Sequence, residues 1–233
     1  MTDNPKKLNT VLFDLDGTLA DTAPDLAATL NLLLHENNQP PLAFDQIRPF
    51  VSHGALALVT LGFGLTAEDP HFDALRQRFL ELYSAHLCVG TVLFPGMDEL
   101  LAQIEQQSLH WGVITNKPAQ FTEPLLSALG LADRAACIIS GDSASKRKPH
   151  PEPMLMACNQ IGVNPGNCLY VGDAERDIAA GLSVGMQTLV ARFGYIGAND
   201  KPDQWQAHGI IDTPVAIMDW LHRYNQTIEN RAL

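Results

Sequence analysis

Asp14 and Asp16 stand two apart in Val11-Leu-Phe-Asp-Leu-Asp-Gly-Thr18. Carboxylates two apart on an extended segment point to one side. Gly17 permits a sharp or left-handed turn that re-aims the second and frees the backbone carbonyl between them. Such a pair suits a hard cation with oxygen ligands, Mg²⁺ above all. It also suits a division of labour in which one aspartate attacks phosphorus and the other donates or accepts a proton. Taken alone, D-x-D-G equally describes an acidic turn.

Three further clusters share this placement beside short apolar runs. Thr115 and Asn116 follow Trp111-Gly-Val-Ile114. Their hydroxyl and backbone N–H groups can bind phosphate oxygens, or they can cap a helix. Lys146, Arg147 and Lys148 precede Pro149-His-Pro-Glu-Pro153. Lys148, fixed before a proline, is a compact charge able to neutralise a phosphoryl group. Lys146 reads as solvated, Arg147 is open, and His150 reads as structural or substrate-adjacent. Val171-Gly-Asp-Ala-Glu-Arg-Asp177 supplies the fourth cluster. Gly172 lets the backbone pass close to the site. Asp173 adds a carboxylate, and Asp177 lies one helical turn on, where it can bind a metal-bound water or fix Lys148. Either aspartate could instead cap the following helix. Glu175 and Arg176 read as solvated residues of a first turn.

The elements that must hold these groups follow from periodicity. Strands are expected at Thr10 to Phe13, Trp111 to Ile114, Ala136 to Ser140, Cys168 to Val171 and Thr188 to Val190. Helices are expected near Met97 to Gln107, Phe121 to Leu129, Pro151 to Gln160 and Glu175 to Leu182. That alternation predicts an α/β, doubly wound, mostly parallel sheet, whose ligands bind beyond the carboxyl ends of the strands. Between Pro24 and Leu87 the pattern is helical, with stretches near Pro24 to His35, Gly54 to Leu61 and Phe72 to Leu87. This predicts an all-helical insert over residues 20–89 within an α/β core formed by 1–19 and 90–233.

The whole chain sets the outer limits. Its 233 residues carry a net charge of −11, with 46% hydrophobic and 18% charged residues. Disorder is not expected, and a broad nucleic-acid surface is not either. A local group of cations can still hold one phosphate in an acidic protein. The four cysteines have no C-x-x-C spacing and are expected to be reduced and mostly buried. There is no membrane-length apolar segment and no apolar leader in the polar first residues, so a cytoplasmic protein is expected, monomeric or dimeric.

Asp14-Leu-Asp16-Gly-Thr18, together with Thr115, Lys148, Asp173 and Asp177, resembles the motif set of the haloacid-dehalogenase-like hydrolase superfamily. The likeness covers nearly the whole chain and is to the phosphatase type near bacterial phosphoglycolate phosphatases. It implies a Rossmann-like core with an inserted helical cap. It implies Asp14 as nucleophile and Asp16 as general acid/base. Mg²⁺ would be held by Asp14, the main-chain carbonyl of Asp16 and Asp173. Thr115 and the Asn116 N–H would bind the phosphoryl group, and Lys148 would offset its charge. Dehalogenases lack the second aspartate that stands here as Asp16, which favours a phosphatase.

For the substrate, a small phosphorylated metabolite, the cap is decisive. Phosphoglycolate phosphatases usually read V-G-x-G where this chain has Val51-Ser-His-Gly54. Ser52 and His53 could therefore select a bulky polar substrate, or cap the next helix. Pro24-Asp25, Val51-Ser52, the run from Lys146 to Pro153 and Phe193-Gly-Tyr-Ile196 resemble a subgroup whose members are named variously phosphoglycolate phosphatase and N-acetylmuramic acid 6-phosphate phosphatase. That substrate, from cell-wall recycling, is the expectation. Alternatives are 2-phosphoglycolate, a sugar phosphomutase and a non-enzymatic interaction module.

Overall fold

Thr10–Phe13 (β1) is an unbroken apolar run, and all four residues are buried. A strand of that texture is covered on both faces, and β1 lies inside a six-stranded sheet. The computed structural model describes residues 6–231. Met1 to Pro5, on which the expectation of no leader rests, lie outside them. The other strands of the sheet are His110–Ile114 (β4), Ile138–Ile139 (β5), Cys168–Gly172 (β6), Gln187–Ala191 (β7) and Gly209–Ile211 (β8). Their order is β5-β4-β1-β6-β7-β8, and every pairing is parallel.

Register places the chemistry. Phe13 lies opposite Val113 on one side and Val171 on the other. The carboxyl ends of β1, β4 and β6 are therefore level. Asp14, Thr115 and Asp173 follow those ends and meet at the edge where ligands bind in such sheets.

After β1 the chain makes a narrow ribbon. Ala20–Asp21 (β2) pairs antiparallel with Val92–Leu93 (β3). Between them lie the helices Ala23–Glu36 (α1), Phe44–Ile47 (α2), Gly54–Phe63 (α3) and Phe72–Ala85 (α4), with a 3₁₀ turn at Arg48–His53. From 22 to 91 there are helices and turns and no strand, among the described residues. In α1, Leu26, Leu30, Leu33 and Leu34 are buried, the apolar stripe of an amphipathic helix. Pro24 sits in the first turn, where its missing N–H costs nothing.

Met97–Gln106 (α5), Ala119–Ala128 (α6), Glu152–Ile161 (α7) and Glu175–Ser183 (α8) alternate with the strands. Ala216–Arg231 (α9) closes the described chain. Side chains alternate across the sheet as strand geometry requires. Val11 and Phe13 join one cluster, which runs on through Leu30 and Phe79 of the helical segment, while Leu12 joins another with Ile114, Met154 and Tyr170. The helical segment thus shares an apolar core with the sheet. Cys137, Cys158 and Cys168 are buried, Cys88 is half-buried, and all four are free thiols.

The expected sheet and helices are present. The β2–β3 ribbon, α2, the 3₁₀ turn, β8 and α9 were not foreseen. The two-residue strands of the ribbon and the single turn of α2 carry no readable period, which does not account for the 16-residue α9. Among the described residues no helix is long and apolar enough to cross a membrane.

Candidate active site

Lys148 is the hub of the site. Its side chain is wholly buried, with Nζ 3.0 Å from Asp14 Oδ1 and 2.7 Å from Asp177 Oδ1. Nζ also donates to the Ile114 carbonyl and to the Tyr170 hydroxyl, each at 2.8 Å. A buried ammonium is tolerated only when so fully partnered. Lys148 does not directly follow a strand, as the motif order suggested. It arrives on the long loop after β5, and Asn116 pins it there. The Asn116 amide accepts from Lys148 N and donates to Lys148 O, both at 3.0 Å. Thr115 is buried beside it and its Oγ1 accepts from Lys117 N at 3.1 Å.

The two aspartates of the first motif are turned apart. Asp14 faces Lys148 and accepts from Leu15 N at 2.7 Å. Asp16 Oδ1 faces the helical segment and accepts from Thr22 Oγ1 at 2.7 Å and Lys117 Nζ at 2.8 Å. Gly17 makes this possible at φ 82°, and a Cβ there would stand 2.2 Å from Asp173 Oδ2. Gly172 is equally constrained, since a Cβ would lie 2.4 Å from the Asp177 Cβ.

Carboxylate oxygens of Asp14, Asp173 and Asp177 lie within 4.8 Å of one another, all buried. Burial, and then the Asp177 charge, push Asp14 up to about 6, with Lys148 opposing. Burial, and then Asp14 and Asp177, push Asp173 up to about 7. Such crowding favours protonation unless a cation intervenes. Asp173 Oδ2 accepts from Ser52 Oγ at 2.8 Å and from Tyr195 N at 2.9 Å. Asp173 Oδ1 is buried without a hydrogen-bond partner. No backbone N–H among the described residues bonds the Asp16 carbonyl. An orphaned carboxylate oxygen, a free carbonyl and the Asp14 carboxylate are all hard oxygen donors, and they fit Mg²⁺. Asp177 is otherwise engaged, with Oδ1 at Lys148 and Oδ2 accepting from Ala174 N at 3.1 Å.

A cavity of about 520 Å³ opens from Asp14, Asp16 and Thr115 into the helical segment. Its walls are apolar at Val51, Leu56, Phe72 and Leu80, and polar at His53, Asp73, Arg76, Arg147 and Arg176.

Several readings of individual residues change. Arg176 is not a solvated first-turn residue. It lines the cavity, and its Nη2 donates to the Ser52 carbonyl at 2.7 Å. Burial opposes its charge, but Asp177, Asp14 and Asp173 more than compensate. Neither Ser52 nor His53 caps α3 through its side chain. His53 lines the cavity and Ser52 reaches Asp173. Arg147 lines the cavity and donates to the Gly141 carbonyl at 2.8 Å. Lys146 and His150 are exposed. Lys117 had not been singled out. Its side chain is only 8% exposed, and its Nζ lies 4.7 Å above the Tyr83 ring centre. Burial works against its charge, and Asp16 and Tyr83 raise its pKa regardless. A cation directly after Thr115-Asn116 was the available signal.

Residues 11–191 match the family described as haloacid dehalogenase-like hydrolase. The chain belongs to that family. It is 43% identical over 217 residues to the N-acetylmuramic acid 6-phosphate phosphatase of Pseudomonas aeruginosa, covering 93% of this chain and 96% of that one. It is 42% identical over 209 residues to a phosphoglycolate phosphatase of Xanthomonas campestris pv. campestris, covering 90% and 94%. Among solved structures, a protein described as a predicted phosphoglycolate phosphatase from Haemophilus somnus 129PT superposes with a TM-score of 0.81. It is 28% identical, with 92% of this chain and 98% of that one covered. Haloacid dehalogenase-like hydrolases bearing two different substrate names are thus about equally similar to this chain.

Proposed function

We propose that the chain is an Mg²⁺-dependent phosphomonoesterase that hydrolyses N-acetylmuramic acid 6-phosphate, as a cytoplasmic enzyme of peptidoglycan recycling. The cavity is the observation that carries the choice of substrate. About 520 Å³ of space lies between Asp14 and the helices, within the range of small-molecule sites. A two-carbon glycolate would leave most of it empty. A substituted amino sugar would fill it, setting its ring and acetyl group against Val51, Leu56, Phe72 and Leu80. Arg76 lines the same space, and no hydrogen bond or ion pair engages it among the described residues. It is suited to the lactyl carboxylate that distinguishes muramic acid. Residues 20–89 then act as the cap that selects the alcohol, and 1–19 with 90–233 as the core that performs the chemistry.

In the first step an Asp14 carboxylate oxygen attacks phosphorus and the ester P–O bond breaks. The departing alcohol takes a proton from Asp16. In the second step Asp16 takes a proton from water, whose oxygen attacks the aspartyl phosphate. The Asp14 carboxylate and inorganic phosphate are released. Thr115 Oγ1 and the Asn116 N–H hold phosphoryl oxygens, and Lys148 offsets the charge shared by Asp14 and phosphate. Asp177 and the Asn116 side chain keep Lys148 in place. Asp14, the Asp16 carbonyl and Asp173 would hold Mg²⁺, which would supply neutralisation of phosphoryl charge. The protein's contribution is positioning and electrostatics.

The test of the substrate is a paired comparison. Arg76→Ala should lower kcat/KM for N-acetylmuramic acid 6-phosphate by about 10-fold or more, the scale of a lost charge-assisted hydrogen bond. It should leave N-acetylglucosamine 6-phosphate, which lacks the carboxylate, nearly unaffected. Equal losses on both sugars would contradict carboxylate recognition at Arg76.

A further inference from the structure

The two carboxylate oxygens of Asp173 are sharply differentiated. Oδ2 takes two donors, Ser52 Oγ–H at 2.8 Å and Tyr195 N–H at 2.9 Å. Oδ1 is buried and takes none. A carboxylate is planar, so fixing one oxygen by two hydrogen bonds fixes the direction of the other. Tyr195 contributes a backbone group, which any residue there could supply. Ser52 contributes a side chain, and it comes from the helical segment, 121 positions away in sequence.

The same residue is held at its backbone. The Ser52 carbonyl accepts from Arg176 Nη2 at 2.7 Å, and Arg176 belongs to α8, directly after Asp173. Hydroxyl and carbonyl of Ser52 thus both touch the loop and helix that follow β6.

We propose that Ser52 is a positioning residue of the metal site: its hydroxyl orients Asp173 so that Oδ1 faces the cation. This rests on the reading of Asp14 and Asp173 as Mg²⁺ ligands. Hydrogen-bond partners behind a metal ligand commonly contribute about 10- to 100-fold in metal affinity. Because the partner here sits on the helical segment, the outer shell of the metal site is complete only while that segment is docked on the sheet. Metal binding and docking then favour one another.

The experiment is a calorimetric titration of Mg²⁺ into the full-length protein without substrate. It compares wild type with Ser52→Ala, Ser52→Gly and Ser52→Thr. The two variants without a hydroxyl should bind Mg²⁺ about 10-fold more weakly or worse. The threonine variant, which keeps the hydroxyl, should recover most of the affinity. Phosphatase activity of Ser52→Ala should climb back towards wild type as Mg²⁺ is raised, which a damaged substrate pocket would not do. Wild-type affinity in both Ser52→Ala and Ser52→Gly would overturn the role of Ser52 and leave the metal reading standing. A wild-type protein that takes up no Mg²⁺ would overturn both.

Discussion

At the scale of residues, Asp14 and Asp16 are turned in opposite directions, as the proposed division between nucleophile and general acid/base requires. Asp14 points at Lys148 inside the acidic cluster, and Asp16 points at Lys117 and Thr22 beneath the helices. Asp14→Asn should abolish turnover while leaving the fold intact, measured as phosphate release beside a thermal melt. Asp16→Asn should lower kcat by about 100-fold or more, the usual scale of a general acid/base. Wild-type-like turnover in either variant would remove that residue from the chemistry. Asp14, Asp16, Thr115, Lys148 and Asp173 were legible because each belongs to a motif with its own local spacing. Lys117, Arg176 and Arg76 were not. Arg76 matters through the cavity it lines, and the other two through a contact across the fold: Lys117 to Asp16 spans 101 positions and Arg176 to Ser52 spans 124. No local period carries such information.

At the scale of elements, the strands were readable because their apolar runs are continuous, and α1 because its leucines keep helical spacing. The neck between sheet and helices was not. Its β2–β3 ribbon pairs only two residues a side. Asp25 does much of the holding there. Its buried carboxylate accepts from Val89 N at 3.1 Å, Gly90 N at 2.6 Å, Thr91 N at 3.0 Å and Thr91 Oγ1 at 2.6 Å. One side chain of α1 thus gathers the returning strand of chain. Asp25→Ala leaves those donors without their acceptor. Hydrogen bonds to charged groups contribute about 1.5–3 kcal/mol each and are not additive. A loss of about 2–4 kcal/mol is expected by denaturant unfolding, with earlier proteolysis between Leu87 and Thr91. An unchanged midpoint would show that the ribbon alone secures the neck.

At the scale of the molecule, an acidic chain with net charge −11 brings Lys117, Lys148, Arg76, Arg147 and Arg176 around one site. Three buried carboxylates lie among them, and they link stability to pH and to metal. The folded protein raises Asp14 to about 6 and Asp173 to about 7, from an ordinary 3.8. Between those limits the folded state binds more protons than the unfolded one, so these groups lower stability as pH rises. The penalty is small near pH 4 and complete above about pH 7. Mg²⁺ bound at the proposed site would relieve it by compensating the charge. The rise in melting temperature on adding Mg²⁺ should therefore be larger at pH 7.5 than at pH 5.5. A rise that is equal or larger at pH 5.5 would contradict this linkage.

The proposed substrate of this phosphatase core is a bulky, carboxylate-bearing amino sugar phosphate. The most direct measurement is phosphate release by the wild-type protein with Mg²⁺ at one low enzyme concentration, giving kcat/KM for N-acetylmuramic acid 6-phosphate and for 2-phosphoglycolate. The cavity and its unpartnered arginine predict a strong preference for the sugar phosphate. A strong preference for 2-phosphoglycolate would contradict this and make the size of the cavity irrelevant to substrate choice.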